Sequence, residues 1–177
     1  MKLRTLVYAL TFVFGCAMLI SCDRRGGANN NNNSNPPPST NSPSPVVTAT
    51  PVATLANCSI KFHTNDEDKD SDTHVTVTIT DDNNVTSCRV DNDFGKFGDN
   101  SNSGPFGMPV VNATPKANVQ RGNIRLRIDP NGNDTWRFNF QVDMTFSDGS
   151  RLTGAADGLE LSQDRREQTF GISGILR

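Results

Sequence analysis

Seven consecutive residues, Asp66-Glu67-Asp68-Lys69-Asp70-Ser71-Asp72, form the densest charge run in the chain. Asp66, Asp68, Asp70 and Asp72 fall at alternate positions, the pattern with which a calcium loop begins. A hard cation takes several oxygen ligands, and clustered carboxylates repel one another unless a cation binds. The spacing of a helix-loop-helix calcium site is not met. Counting from Asp66, the glycine position holds Ser71 and the closing glutamate position holds Val77; from Asp68 they hold Thr73 and Ile79. Calcium on Asp66, Asp68 and Asp70 therefore competes with a plain solvated acidic turn. His63 and His74 flank the run. A hairpin between the segments carrying them would bring both imidazoles beside the carboxylates, as a surface site for zinc or copper. The competing reading is two exposed histidines at strand ends.

A second candidate is the stretch 91–121, the longest without strand alternation. Loops of this length in a compact domain are usually functional or disordered. Phe94-Gly95, Phe97-Gly98 and Phe106-Gly107 repeat a bulky-then-flexible step. One reading makes Phe94, Phe97 and Phe106 a recognition loop that contacts a partner or covers a pocket. The other pins the loop to its own domain through those rings, with Val110-Val111 as an extra strand. Catalytic signatures are missing: Gly171-Ile172-Ser173-Gly174 is not a nucleophile elbow, and no phosphate-binding or dinucleotide fingerprint occurs. The expectation leans away from an enzyme.

The N-terminus carries an address. Lys2 and Arg4 precede an apolar run over residues 5–20, which is short for a membrane-spanning helix of about 20 residues. It fits the core of a secretory signal. The run closes on Leu19-Ile20-Ser21-Cys22: an aliphatic residue, a tolerant position, a small residue, then cysteine. This resembles the lipobox of bacterial lipoproteins. The resemblance implies that Cys22 receives a diacylglyceryl group and becomes the first residue after cleavage. It also implies an extracytoplasmic, lipid-anchored protein of the bacterial cell envelope. Asp23 is similar to an inner-membrane retention signal and favours that membrane over the outer one. The partners implied are the membrane, through the anchor, and another envelope protein or a small ligand.

The compartment gives the remaining cysteines a meaning. Cys58 alternates with Ile60 and Phe62, and a hairpin through Asp81–Asn84 sets Cys88 opposite Val77, so both face the core. Oxidation is permitted outside the cytoplasm. A Cys58–Cys88 disulfide is therefore expected ahead of a redox or metal pair, because no Cys-x-x-Cys occurs. The formal charge of −2 becomes −4 once Lys2 and Arg4 leave with the signal. No basic patch dominates, which argues against nucleic acid as a partner.

These residues need elements to position them. Residues 1–21 are read as the signal, 22–54 as the lipidated cysteine and tether, and 55–177 as one domain. The tether is rich in Asn, Pro, Ser and Thr, with almost no large apolar residue before Val46. Such a composition cannot offset the entropy of ordering, so disorder is expected. The domain has a period of two. Along 135–146, Trp136, Phe138, Phe140, Val142, Met144 and Phe146 share one face. Residues 73–80 and 123–128 alternate in the same way. A three-residue loop at Ser147-Asp148-Gly149 pairs Met144 with Leu152 and Phe140 with Ala156, in phase. A three-residue loop at Pro130-Asn131-Gly132 pairs Leu126 with Trp136. The segments 123–129, 133–146 and 150–156 are thus read as a meander, and 168–177 as a last strand. Either Asp157-Gly158 bulges or 159–167 forms a short helix. The expected fold is all-β: an antiparallel meander forming a β-sandwich or partly open barrel.

Overall fold

Among the described residues the chain forms eight strands, most of them from alternating segments, and two short helical turns. The computed structural model describes residues 50–177. The expected signal, Cys22 and nearly all of the tether lie outside the described residues. In chain order the elements are β1 (Leu55–Thr64), β2 (His74–Thr80), β3 (Thr86–Asn92), β4 (Asn102–Gly107), α1 (Lys116–Gln120), β5 (Asn123–Asp129), β6 (Thr135–Phe146), β7 (Arg151–Ser162), β8 (Glu167–Gly171) and α2 (Ile172–Ile175). They form two four-stranded sheets, ordered β4-β1-β6-β7 and β3-β2-β5-β8. Every strand pair is antiparallel. The sheets pack face to face as a sandwich, and no closed barrel forms.

The inner faces supply the core. In β6 every second side chain is buried, from Trp136 to Phe146, as the alternation requires. The β6–β7 hairpin has the expected register, Met144 opposite Leu152 and Phe140 opposite Ala156, with Gly149 left-handed at φ 81°. Farther along, Phe138 pairs with Leu159, so Asp157 and Gly158 together oppose Asn139. Gly158 is left-handed, at φ 67°. This bulge restores the phase and lets β7 run on to Ser162, where a helix was the alternative.

Four sequence expectations are corrected. The hairpin between β5 and β6 does not form: β5 pairs with β2 and β8, while β6 pairs with β1 and β7. The Pro130-Asn131-Gly132 turn is a corner between sheets. Its apolar flanks face each other across the core instead of lying side by side, and both arrangements bury the same residues. Nor do β1 and β2 pair; the acidic run crosses from one sheet to the other. The last strand ends at Gly171 and lies beside β5, and the chain then turns through α2. The β2–β3 hairpin does form, with Cys88 opposite Ile79 instead of Val77. That shift of two residues keeps Cys88 on the core face.

Candidate functional site

The stretch 91–121 contains β4 and α1, and its phenylalanines turn inward. Phe97 is 2% exposed, while Phe94 and Phe106 are half-buried against it. Ring centroids lie 5.8 Å apart for Phe97 and Phe106, 4.3 Å for Phe94 and Phe106, and 5.6 Å for Phe97 and Trp136. The three rings pack on their own domain, with Phe94 and Phe106 still partly exposed. Val110 forms an isolated bridge with Cys88, and Val110-Val111 does not make the extra strand expected there.

Lys69 explains the acidic run. Its side chain is fully buried, and its ammonium donates to the carbonyl oxygens of Asp70, Thr73 and Asp93, each at 2.8 Å. The nitrogen stands 5.1 Å from the centroid of the Phe97 ring. Main-chain hydrogen bonds between Lys69 and Phe97, at 3.0 and 3.1 Å, join the acidic loop to the ring cluster. Burial pushes the Lys69 pKa down, and the carboxylates of Asp134, Asp93, Asp70 and Asp72 pull it back up. An internal ammonium thus stands at the centre of a loop that reads as a cation loop.

The carboxylates around it diverge. Asp68 pairs with Lys96 at 2.5 Å, Asp66 with Arg137 at 3.5 Å, and Asp72 accepts from Asn131 at 3.1 Å. Asp134 accepts from the Thr73 hydroxyl and, at 3.4 Å, from the Asp70 amide. The two histidines lie in different sheets, so Asp66, Asp68, Asp70, His63 and His74 do not converge. Among the described residues, no group of three or more His, Cys, Asp or Glu side chains is placed to hold a metal ion. The expected hairpin failed because each strand found other neighbours.

His74 instead stands between two carboxylates, with Nδ1 at 2.6 Å from Asp93 and Nε2 bonded to Asp91, which also accepts from Arg89. The Asp93 hydrogen bond, then that of Asp91, raises the His74 pKa. The His74 hydrogen bond in turn lowers that of Asp91. Sequence reasoning missed Lys69, Asp91, Asp93 and Asp134. A lone lysine amid five acids was a signal for the first; nothing local pointed to the others.

Cys58 in one sheet and Cys88 in the other meet across the core, 1% and 0% exposed. Both are free thiols in the structure. A hydrogen bond with Cys88 in which Cys58 keeps its proton, then burial, pushes the Cys58 thiol far above its ordinary range. The Cys58 sulfur also lies 3.7 Å from that of Met108.

The outer face of the β4-β1-β6-β7 sheet carries a groove of about 360 Å³. Its floor is two cross-strand pairs, Lys61 opposite Gln141 and His63 opposite Asn139. Both flanking strands bulge at this level. In β4, Gly104 and Pro105 oppose Lys61; in β7, Asp157 and Gly158 oppose Asn139. Bulges bend a strand and re-aim its side chains. Much of the lining is tied within the protein. His63 Nδ1 bonds the Asn102 side-chain oxygen at 3.0 Å, and Asn139 accepts from the Gly158 amide at 2.7 Å. Gln141 donates to Asp143 at 2.9 Å, and Arg177 pairs with Asp157 at 2.5 Å. A lining that includes amides, one imidazole, two cations and the Asp157 carboxylate suits recognition by hydrogen bonding. No family model matches the chain, and no curated protein matches it.

Proposed function

We propose that this chain is a lipid-anchored protein of the bacterial cell envelope, presenting a β-sandwich outside the cytoplasm as a binding or assembly module. The order of parts along the chain carries the reading. A lipobox-like Leu19-Ile20-Ser21-Cys22 comes first, then some thirty residues with almost no large apolar side chain, then a sandwich with a full apolar core. Two or more acyl chains on one cysteine anchor firmly, where a single chain is marginal. A spacer of that composition and about 32 residues spans roughly 30 Å with coil statistics, enough to hold the sandwich clear of headgroups. The partner is another envelope protein or a small ligand, taken at the groove over Lys61 and Gln141. The role is recognition, with no bond made or broken.

The test is the intact mass of protein extracted from its own membrane. A mass beginning at Cys22 with added acyl groups is expected, and Cys22→Ser should leave the chain unlipidated. A wild-type mass that retains residues 1–21, or lacks acyl groups, overturns the anchor. Capture is tested separately by Lys61→Glu and Gln141→Arg, which should abolish partner retention on an intact fold.

A further inference from the structure

The outer face of the second sheet carries a pocket unlike the groove. The registers place its side chains in rows. Thr80 lies between Thr86 of β3 and Asn123 of β5. One row on, Thr78 lies between Arg89 and Arg125, with Thr169 beyond Arg125 on β8. The pocket, about 350 Å³, is lined by Thr78, Thr80, Thr86, Asn123, Arg125 and Thr169, with Asn84 at its rim. It is a size that holds small ligands. None of these lining side chains is a carboxylate.

Two observations point to a ligand. Thr78 is 7% exposed, and its hydroxyl has no hydrogen-bond partner in the protein. A buried hydroxyl without a partner carries the full cost of its lost hydration. The Arg125 guanidinium, half exposed, has only a loose carboxylate neighbour, Glu167 at 4.0 Å. In the groove on the other sheet the polar groups are tied to each other; here a hydroxyl and most of a guanidinium are left over. Hydroxyls and a guanidinium that converge with a single, loosely placed acid beside them suit an anion with several acceptor oxygens. Arginine matches phosphate oxygens with parallel N–H donors. Arg89, on the far side of Thr78, is held by Asp91 and adds positive potential without donating into the pocket.

We infer that this pocket binds a phosphate group, held by the Arg125 guanidinium and the hydroxyls of Thr78 and Thr80. The group belongs either to a soluble phosphorylated ligand or to a phospholipid headgroup. The site lies on the sheet opposite the groove and stands independently of the anchor.

The test is thermal melting of the full chain in a phosphate-free, uncharged detergent. Inorganic phosphate should raise the melting temperature in a saturable way through mass action, and chloride at equal ionic strength should not. Arg125→Gln and Thr78→Val should each weaken the apparent affinity by about tenfold or more. Thr78→Val removes the orphaned hydroxyl at nearly constant volume. Without phosphate it should therefore melt at or above the wild-type temperature, so stability and binding move apart. Dihexanoyl phosphatidate and glucose 6-phosphate, titrated the same way, distinguish the sources by which acts at the lower concentration. An equal effect of chloride, an unchanged phosphate response in Thr78→Val or Arg125→Gln, or no response to either ester overturns the inference.

Discussion

Replacing Lys69 by Met takes three hydrogen bonds from one nitrogen. The carbonyls of Asp70, Thr73 and Asp93 would then face a methyl group in a place that water does not reach. Losses of this kind sum to about 3 kcal/mol or more. Lys69→Met should lower the unfolding free energy from a denaturant titration by that amount, whereas Lys96→Met, on the exposed ion pair with Asp68, should change it little. His74 gives a pH signature. Its pKa is raised by Asp93 and Asp91, so its contribution is complete below its ordinary value near 6.5 and is lost as pH rises through the raised one. Asp91 is shifted down, so its share is present above its ordinary value and lost as pH falls through the lowered one. The difference in melting temperature between wild type and His74→Gln should be largest in the weakly acidic range and shrink on both sides. A flat difference from pH 4 to pH 9 would count against this pairing. The acidic run was legible as a place wanting positive charge. That the charge is the run's own lysine was not, because a strongly hydrated ammonium is rarely expected inside.

At the scale of elements, the bulge in β7 decides which side chains reach the core. Without the extra residue at Asp157-Gly158, Leu159 and Leu161 would point to solvent while Leu152 and Ala156 pointed in. Gly158 makes the bulge at φ 67°, and a Cβ added there would meet nothing within 4 Å. Gly158→Val therefore tests backbone conformation alone. It should cost about 1–2 kcal/mol, a few degrees of melting temperature, with no change in core packing. The β6–β7 hairpin was readable because loop length, glycine position and apolar phase all demanded one register. The β5–β6 pairing misled because the same three criteria are also satisfied by a corner that sends β6 to the other sheet. Local phase says which face a residue occupies; it does not say which sheet the strand joins. The two bulges that wall the groove were half-legible. Asp157-Gly158 showed as a phase conflict, while Gly104-Pro105 lay in a stretch with no alternation to disturb.

For the whole molecule, the meeting of Cys58 and Cys88 joins one sheet to the other. Outside the cytoplasm the pair should be oxidised, closing a loop of about 31 residues and contributing roughly 3–4 kcal/mol in the chain-entropy model. Protein prepared without reductant should resist alkylation in denaturant until a reductant is added, and reduction should lower its midpoint. Alkylation of both thiols in denaturant alone would show that they remain free. The all-β class, the inward-facing cysteines and the buried faces were visible from composition and period; the partition of strands between sheets rests on long-range pairing that no local pattern encodes. One edge of the assembled sandwich has a further effect. Strand β4 carries Pro105, which has no amide hydrogen to offer, and an extra residue that breaks its hydrogen-bonding rhythm against β1. A border built this way denies a neighbour the regular row of donors and acceptors along which sheets fuse, so high density need not end in fibrils.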